Sequence, residues 1–76
     1  MAIMYRHESV VDLIVLAQLI ADDHYRYNYY EFSDDFMTVT FSCHRNGRSV
    51  RHTTYAIAAY DSIPDAIDDI LDTIYA

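Results

Sequence analysis

The chain has 76 residues; twelve are aspartate or glutamate, five are arginine and none is lysine, so its formal net charge is −7. A chain of this length predicts a single domain, 1–76, close to the lower size at which one core keeps a fold stable. Nucleic acid is bound mainly through Lys and Arg, so this charge argues against direct nucleic-acid binding and favours a basic protein partner. An acidic surface that only keeps a small domain soluble is the alternative.

A single cysteine, Cys43, excludes an internal disulfide and leaves no Cys/His spacing typical of a metal site. We therefore expect a reducing, cytoplasmic environment. The N-terminus lacks the charged and apolar regions of a signal peptide, and the longest apolar run, 13–17, is too short to span a bilayer. The sequence predicts a soluble protein that does not enter a membrane.

Residues 9–23 predict the first helix, with a capping-box-like start at Ser9 and a broad apolar stripe. Val15 and Leu19 fall outside that stripe, on the arc that carries Asp12 and Asp22. Either the helix is covered on two sides, or Val15 and Leu19 meet a partner, which makes a homodimer possible.

Three strands are predicted over 25–32, 36–44 and 49–58. In the second strand, alternation places one set of side chains on a common face: Met37, Val39, Phe41 and Cys43. A turn at Asp34-Asp35 joins the first two strands, which gives an antiparallel meander.

Asn46-Gly47 is a strong hairpin signal, because both residues tolerate a positive φ. A two-residue turn pairs Arg45 with Arg48, but it then puts Tyr55 and Ile57 on the face away from Phe41. This mismatch predicts a longer loop or a bulge in the second strand of the hairpin.

Residues 62–75 predict the last helix, with Ser62 as its cap and Pro64 in its first turn. One face is apolar and the opposite face carries four aspartates: Asp65, Asp68, Asp69 and Asp72. The predicted fold is α+β, in the order α-β-β-β-α, with both helices on one face of the sheet.

Residues 22–36, DDHYRYNYYEFSDDF, combine four tyrosines with five carboxylates. On a strand, the tyrosines occur on both faces, so they cannot all be core. Tyrosine is enriched at binding hot spots, and we interpret this stretch as an acidic contact surface. Its predicted partner-binding residues are Asp22, Asp23, Tyr25, Tyr27, Tyr29, Tyr30, Glu31, Asp34 and Asp35. The alternative is that Tyr30 and Phe32 fill the core while the other tyrosines cover a sheet edge.

The four aspartates of the last helix extend this hypothesis. Like-charged i,i+4 pairs and a carboxylate near a helix C-terminus both destabilise a helix. The stripe is either an acidic ridge that meets arginines and lysines of a partner, or a solvated face.

No catalytic residue, metal site or cofactor is predicted. The four histidines are dispersed, and Cys43 is read as a small core residue rather than a thiol activated by His44. No nucleophile motif or phosphate-binding loop occurs, so the sequence predicts a protein that is not an enzyme. The hairpin arginines Arg45, Arg48 and Arg51 are expected to form a basic end opposite the acidic helices.

Asn46-Gly47-Arg48-Ser49-Val50 opens a strand that leads into Asp61-Ser62 and an acidic terminal helix. With its tyrosines, small size and acidity, the chain resembles the small phage-encoded anti-CRISPR proteins. That resemblance implies an inhibitor of a CRISPR-Cas effector that occludes its nucleic-acid-binding surface like a DNA mimic, in the cytoplasm of an infected bacterium. Residues 66–70, AIDDI, are also similar to the terminal helix of HicB-type antitoxins. The function expected is a non-catalytic inhibitor of a larger basic protein; an antitoxin or immunity protein and a homo-oligomeric assembly protein are the alternatives.

Overall fold

The computed structural model of the protein describes residues 7–76 and shows an α+β fold in the predicted order α-β-β-β-α. The three strands form one antiparallel sheet in the order β1-β2-β3. The elements are α1 His7–Asp23, β1 Tyr29–Phe32, β2 Thr38–Arg45, β3 Arg48–Ala56, a 3-10 turn Ile57–Ala59 and α2 Ile63–Ile74.

Helix α2 follows its sequence pattern closely. The Ser62 hydroxyl accepts a hydrogen bond from the Asp65 main-chain N–H at 3.2 Å, and Pro64 lies in the first turn, where its missing N–H costs nothing. The apolar face is buried at Ile63, Ala66, Ile70 and Ile74. The predicted helix 62–75 is therefore confirmed to within one residue at each end.

Helix α1 is already helical at His7, so Ser9 lies inside the helix and the predicted cap there is wrong. Its core stripe is buried as expected, with Leu13, Ala17 and Ile20 at most 3% exposed. The helix is followed by His24 in the left-handed region, at φ 57°, which is the usual conformation of the residue that terminates a helix.

The β2–β3 hairpin confirms both parts of its prediction. Asn46 and Gly47 have φ values of 53° and 77°, as a two-residue turn with two left-handed positions requires, and Arg45 pairs with Arg48. The register then shifts by one residue, because His44 pairs with Ser49 and Cys43 with Arg51. Val50 is the extra residue of this bulge, and the shift brings Tyr55 opposite Val39 on the core face.

The first strand is shorter than predicted. Residues 25–28 precede β1 as irregular chain, because Tyr27 turns into the core and Asn28 bonds to β2 through its side chain. Strand β2 starts at Thr38 rather than at residue 36, because Phe36 adopts a left-handed φ of 59° in the turn before it. Met37 is consequently exposed, not part of the buried face of β2.

Both helices pack on one face of the sheet, as predicted, and share one core cluster with it. The buried members are Leu13, Ala17, Ile20, Tyr27, Val39, Phe41, Tyr55, Ile57, Ile63, Ile70 and Ile74. Cys43 is half-buried against this cluster, in line with its predicted core role. The opposite face of the sheet is polar, with the Thr40 and Thr54 hydroxyls 2.9 Å apart across the strands.

The two helices run in the same direction. Near their N-terminal ends, Val10 and Ile63 line one apolar cleft. Near their C-terminal ends, the Tyr75 hydroxyl donates a hydrogen bond to Asp23 at 3.0 Å. The negative ends of both helix dipoles therefore lie at the same end of the molecule.

Candidate functional site

The shared C-terminal end of the helices carries three carboxylates in the last helical turns, and the Arg26 guanidinium lies beside them, over the Tyr25 ring. Asp22 and Asp23 lie in the last turn of α1 and Asp72 in the last turn of α2, and neither of these turns contains a basic residue. A carboxylate at this end of a helix opposes the helix dipole, at a cost of about 0.3–1 kcal/mol each. A cationic partner would remove this cost on binding.

Two exposed aromatic rings lie beside these carboxylates. Tyr25 stacks on Tyr75 with ring centroids 5.3 Å apart, although the two side chains are 57% and 41% exposed. Burial of the hydroxyl and its hydrogen bond to Asp23 raise the pKa of Tyr75 above its usual range. We define the helix-end surface as Asp22, Asp23, Asp72, Tyr25 and Tyr75.

Neutral donors hold one of its carboxylates in place. The Gln18 amide donates a hydrogen bond to Asp22 at 2.8 Å, and the Tyr30 hydroxyl donates to the Gln18 amide oxygen at 3.1 Å. These donors orient Asp22 without cancelling its charge. The hydrogen bonds that fix Asp22 thus come from uncharged groups.

Tyr27 is a correction to the predicted contact surface. Its side chain is only 8% exposed and packs on Phe41 with ring centroids 6.2 Å apart. Tyr27 and Tyr29 therefore do not share one face, because β1 begins only at Tyr29. Tyr30 is half-buried and packs edge-on against Phe32 at 5.8 Å, which agrees with the alternative reading in which this pair fills the core.

Tyr29 and Glu31 lie on the open face of the sheet, away from the helices. Tyr29 is exposed and packs against His44 with ring centroids 4.7 Å apart, while Glu31 is exposed beside it on the same strand face. These two residues could contact a partner, but they lie on a different face of the sheet from the helices that build the helix-end surface.

The predicted turn residues Asp34 and Asp35 have different environments. Asp35 accepts hydrogen bonds from the Ser33 hydroxyl at 2.8 Å and from the Met37 main-chain N–H at 3.0 Å. These bonds, the Ser33 bond first, hold the pKa of Asp35 below its usual value. Asp35 therefore builds the turn, whereas Asp34 is simply exposed.

The acidic stripe of α2 is present but not uniform. Asp65, Asp68 and Asp72 are exposed, whereas Asp69 is half-buried and accepts a hydrogen bond from the Tyr60 hydroxyl. That bond, together with burial, raises the pKa of Tyr60 to about 12. Nothing in the sequence pattern of α2 pointed to Tyr60, since it lies outside the helix.

The hairpin arginines are not opposite the acidic helices. Arg45 and Arg51 line a cleft together with residues 24–28, which directly follow the end of α1. The prediction of a separate basic end is therefore wrong. The bulge at Val50 and the turn of the chain after Asp23 bring these arginines close to residues 24–28. Spacing along the chain could not predict this proximity.

The predicted contact residues are thus distributed over several places: the helix-end surface, the open sheet face, the β1–β2 turn and the outer face of α2. Within residues 7–76, no three His, Cys, Asp or Glu side chains are grouped so that they could bind a metal ion. In the same part of the chain, neither helix is long and apolar enough to cross a membrane.

Comparison with protein-family models, with curated proteins and with solved structures gives no match to this chain.

Proposed function

We propose that this protein is a non-catalytic inhibitor that binds a basic, nucleic-acid-binding surface of a larger protein, and that a CRISPR-Cas effector subunit is that partner. The observation that carries the proposal is the helix-end surface, where two helix C-termini and three carboxylates meet without a basic residue in either last turn. The choice of a CRISPR-Cas effector rests on the resemblance of the sequence to anti-CRISPR proteins.

The physical logic is an exchange of an unfavourable interaction for a favourable one. In the free protein, Asp22, Asp23 and Asp72 lie at the negative ends of the helix dipoles. Arginines or lysines of a partner would reverse the sign of that interaction. Complementary charge mainly accelerates association and selects the partner, and the exposed Tyr25–Tyr75 pair offers apolar area for a desolvated contact.

A matched pair of variants tests this proposal. Asp22→Asn/Asp72→Asn changes the helix-end surface, whereas Asp12→Asn/Asp61→Asn removes two exposed carboxylates elsewhere. Both variants raise the formal net charge of −7 by two. Tagged protein, these variants and the parent are incubated with lysate of a CRISPR-bearing bacterium at low and high salt, and the recovered proteins are identified by mass spectrometry.

We expect the parent and the Asp12/Asp61 variant to retain a nucleic-acid-binding effector subunit that salt releases, and the Asp22/Asp72 variant to lose it. Recovery of a toxin instead would assign the protein to the antitoxin class, with the same surface in use. Retention that does not change at about 1 M salt would contradict the electrostatic part of the proposal.

Self-association is a second candidate function, favoured by an apolar stripe on the outer side of α1. Val11, Val15 and Leu19 recur every four residues and are 40%, 52% and 59% exposed. No element within residues 7–76 covers them. Sedimentation of the parent and of Leu19→Asp tests whether this stripe is a dimer interface. We expect the parent to be a dimer and Leu19→Asp a monomer. Equal mass of the two proteins would exclude this interface.

A further inference from the structure

The structure contains a polar cleft that borders the helix-end surface at Tyr25 and whose arginines the proposed inhibitor function does not use. It measures about 220 Å³ and lies between the chain that follows α1 and the β2–β3 hairpin. Its lining residues are His24, Tyr25, Arg26, Tyr27, Asn28, Cys43, Arg45 and Arg51. Three of the five arginines of an otherwise acidic chain therefore converge on one concave site.

The side chains of two of these arginines have no hydrogen-bond or ion-pair partner within the described chain. Arg45 and Arg51 make neither an ion pair nor a side-chain hydrogen bond with any of residues 7–76. Both lie on the helix side of the hairpin, since Arg51 pairs with Cys43 across the strands and Arg45 follows on the same face of β2. Although the chain has twelve carboxylates, none of those within residues 7–76 pairs with Arg45 or Arg51. Both guanidinium groups can therefore bind an anion in the cleft.

The third arginine is held in position by other groups. The Arg26 guanidinium donates a hydrogen bond to the main-chain oxygen of Ala76 at 3.2 Å and lies 5.6 Å from the centroid of the Tyr25 ring. A guanidinium has five N–H donors, so these contacts leave several for a ligand in the cleft.

The two walls of the cleft are fastened to each other. The Asn28 amide donates to the His44 carbonyl oxygen at 2.9 Å, and its oxygen accepts from the His44 main-chain N–H at 2.9 Å. The Asn28 main-chain N–H also donates to the Ser42 carbonyl oxygen at 3.0 Å. The cleft is therefore formed before any ligand enters, which lowers the entropic cost of binding.

We propose that this cleft binds a phosphate group, either as inorganic phosphate or as the phosphomonoester of a small molecule. Guanidinium groups match the geometry of phosphate oxygens and bind them by charge-assisted hydrogen bonds. The volume holds several water molecules of about 30 Å³ each, which is enough for one such group. A long polyanion does not fit, because Asp22 and Asp23 immediately precede the cleft-lining residues and would repel it.

The test is a titration followed by ¹⁵N–¹H NMR, with inorganic phosphate, phenyl phosphate and acetate as separate ligands at constant ionic strength. We expect saturable shifts with the first two ligands, confined to residues 24–28, 43–45 and 51, and none with acetate. Tighter binding of phenyl phosphate would identify an ester as the ligand, whereas equal or weaker binding would identify the free anion.

Three variants separate a site from general charge screening. Arg45→Gln and Arg51→Gln each remove a guanidinium from the cleft, and we expect each to weaken phosphate binding by about tenfold. Arg48→Gln removes the same charge from the same hairpin tip but does not line the cleft, and we expect its affinity to stay within about twofold of the parent. Equal weakening in all three variants, or shifts that spread over the surface without saturating, would overturn the proposal.

Discussion

The carboxylates and the arginines of this protein differ in their hydrogen-bond partners. Several carboxylates accept hydrogen bonds from neutral donors: Asp22 from Gln18, Asp23 from Tyr75, Asp35 from Ser33 and Asp69 from Tyr60. The side chains of Arg45 and Arg51, by contrast, have no hydrogen-bond or ion-pair partner among residues 7–76. Within residues 7–76, these four carboxylates are thus oriented by uncharged donors, while Arg45 and Arg51 have no counter-ion.

If neutral donors hold the carboxylates, loss of a donor should destabilise the fold. Tyr60→Phe removes the hydroxyl that donates to Asp69, and we expect a loss of about 1.5 kcal/mol, the lower end for hydrogen bonds to charged groups because Asp69 is half-exposed. Urea denaturation measures this change. Tyr29→Phe is the control: Tyr29 is exposed on the open sheet face, and we expect its stability to match the parent.

The same hydroxyl makes stability depend on alkaline pH. Since the pKa of Tyr60 is raised from 10.0 to about 12 in the folded protein, its contribution is complete below pH 10 and is lost between pH 10 and 12. We expect the parent to lose more stability than Tyr60→Phe between about pH 8 and about pH 11. If the stability of both proteins fell equally with rising pH, the hydrogen bond from Tyr60 would not be the cause of the pH dependence.

The bridge between the cleft walls should also matter for stability. Asn28→Ala removes two side-chain hydrogen bonds to His44, each 2.9 Å long, and we expect a loss of about 1–2 kcal/mol. Asn28→Asp keeps the acceptor and loses the donor, so its stability should fall between those of Asn28→Ala and the parent. Thermal unfolding distinguishes them, and an Asn28→Ala protein as stable as the parent would mean that the bridge does not hold the walls together.

Removal of carboxylates from the helix ends should stabilise the protein. Asp22→Asn/Asp72→Asn relieves two unfavourable interactions with the helix dipoles, and we expect a gain of about 1 kcal/mol at low salt. Asp12→Asn/Asp61→Asn removes the same charge away from these ends and should give no gain. Equal stabilisation of both variants in urea would assign the effect to net charge rather than to the helix ends.

The smallest effect is expected at the unpaired arginines. Arg51→Gln breaks no hydrogen bond or ion pair within residues 7–76, so its stability should stay within about 0.5 kcal/mol of the parent. Arg26→Gln should cost more, because Arg26 is bonded to the main-chain oxygen of Ala76 and lies over Tyr25. A larger loss in Arg51→Gln than in Arg26→Gln would contradict this ranking.

The predictions from sequence succeeded where local chemistry decides the structure. Ser62 and Pro64 set the start of α2, and Asn46-Gly47 set the hairpin turn. The bulge was predictable because Tyr55 had to reach the core face of the sheet. The exposure of Val15 and Leu19 also followed from their position on the polar arc of α1.

Tertiary contacts decided the rest. Tyr27 leaves the strand pattern because it packs on Phe41, and Phe36 adopts a left-handed φ and packs on Phe32 with ring centroids 5.1 Å apart. The common end of the two helices depends on their parallel direction, which no local signal encodes. For the same reason, the sequence could not show that Tyr75 reaches Asp23 or that Arg51 approaches residues 24–28.

The most direct measurement of the proposed function is competition for a nucleic-acid-binding surface. A fluorescently labelled nucleic acid is bound to the effector subunit recovered by this protein, and its displacement is followed by anisotropy with the parent, Asp22→Asn/Asp72→Asn and Asp12→Asn/Asp61→Asn. We expect the Asp22/Asp72 variant to displace nucleic acid about tenfold less well than the Asp12/Asp61 variant, although it is the more stable protein. Equal displacement by both variants would contradict a binding role for the helix-end surface.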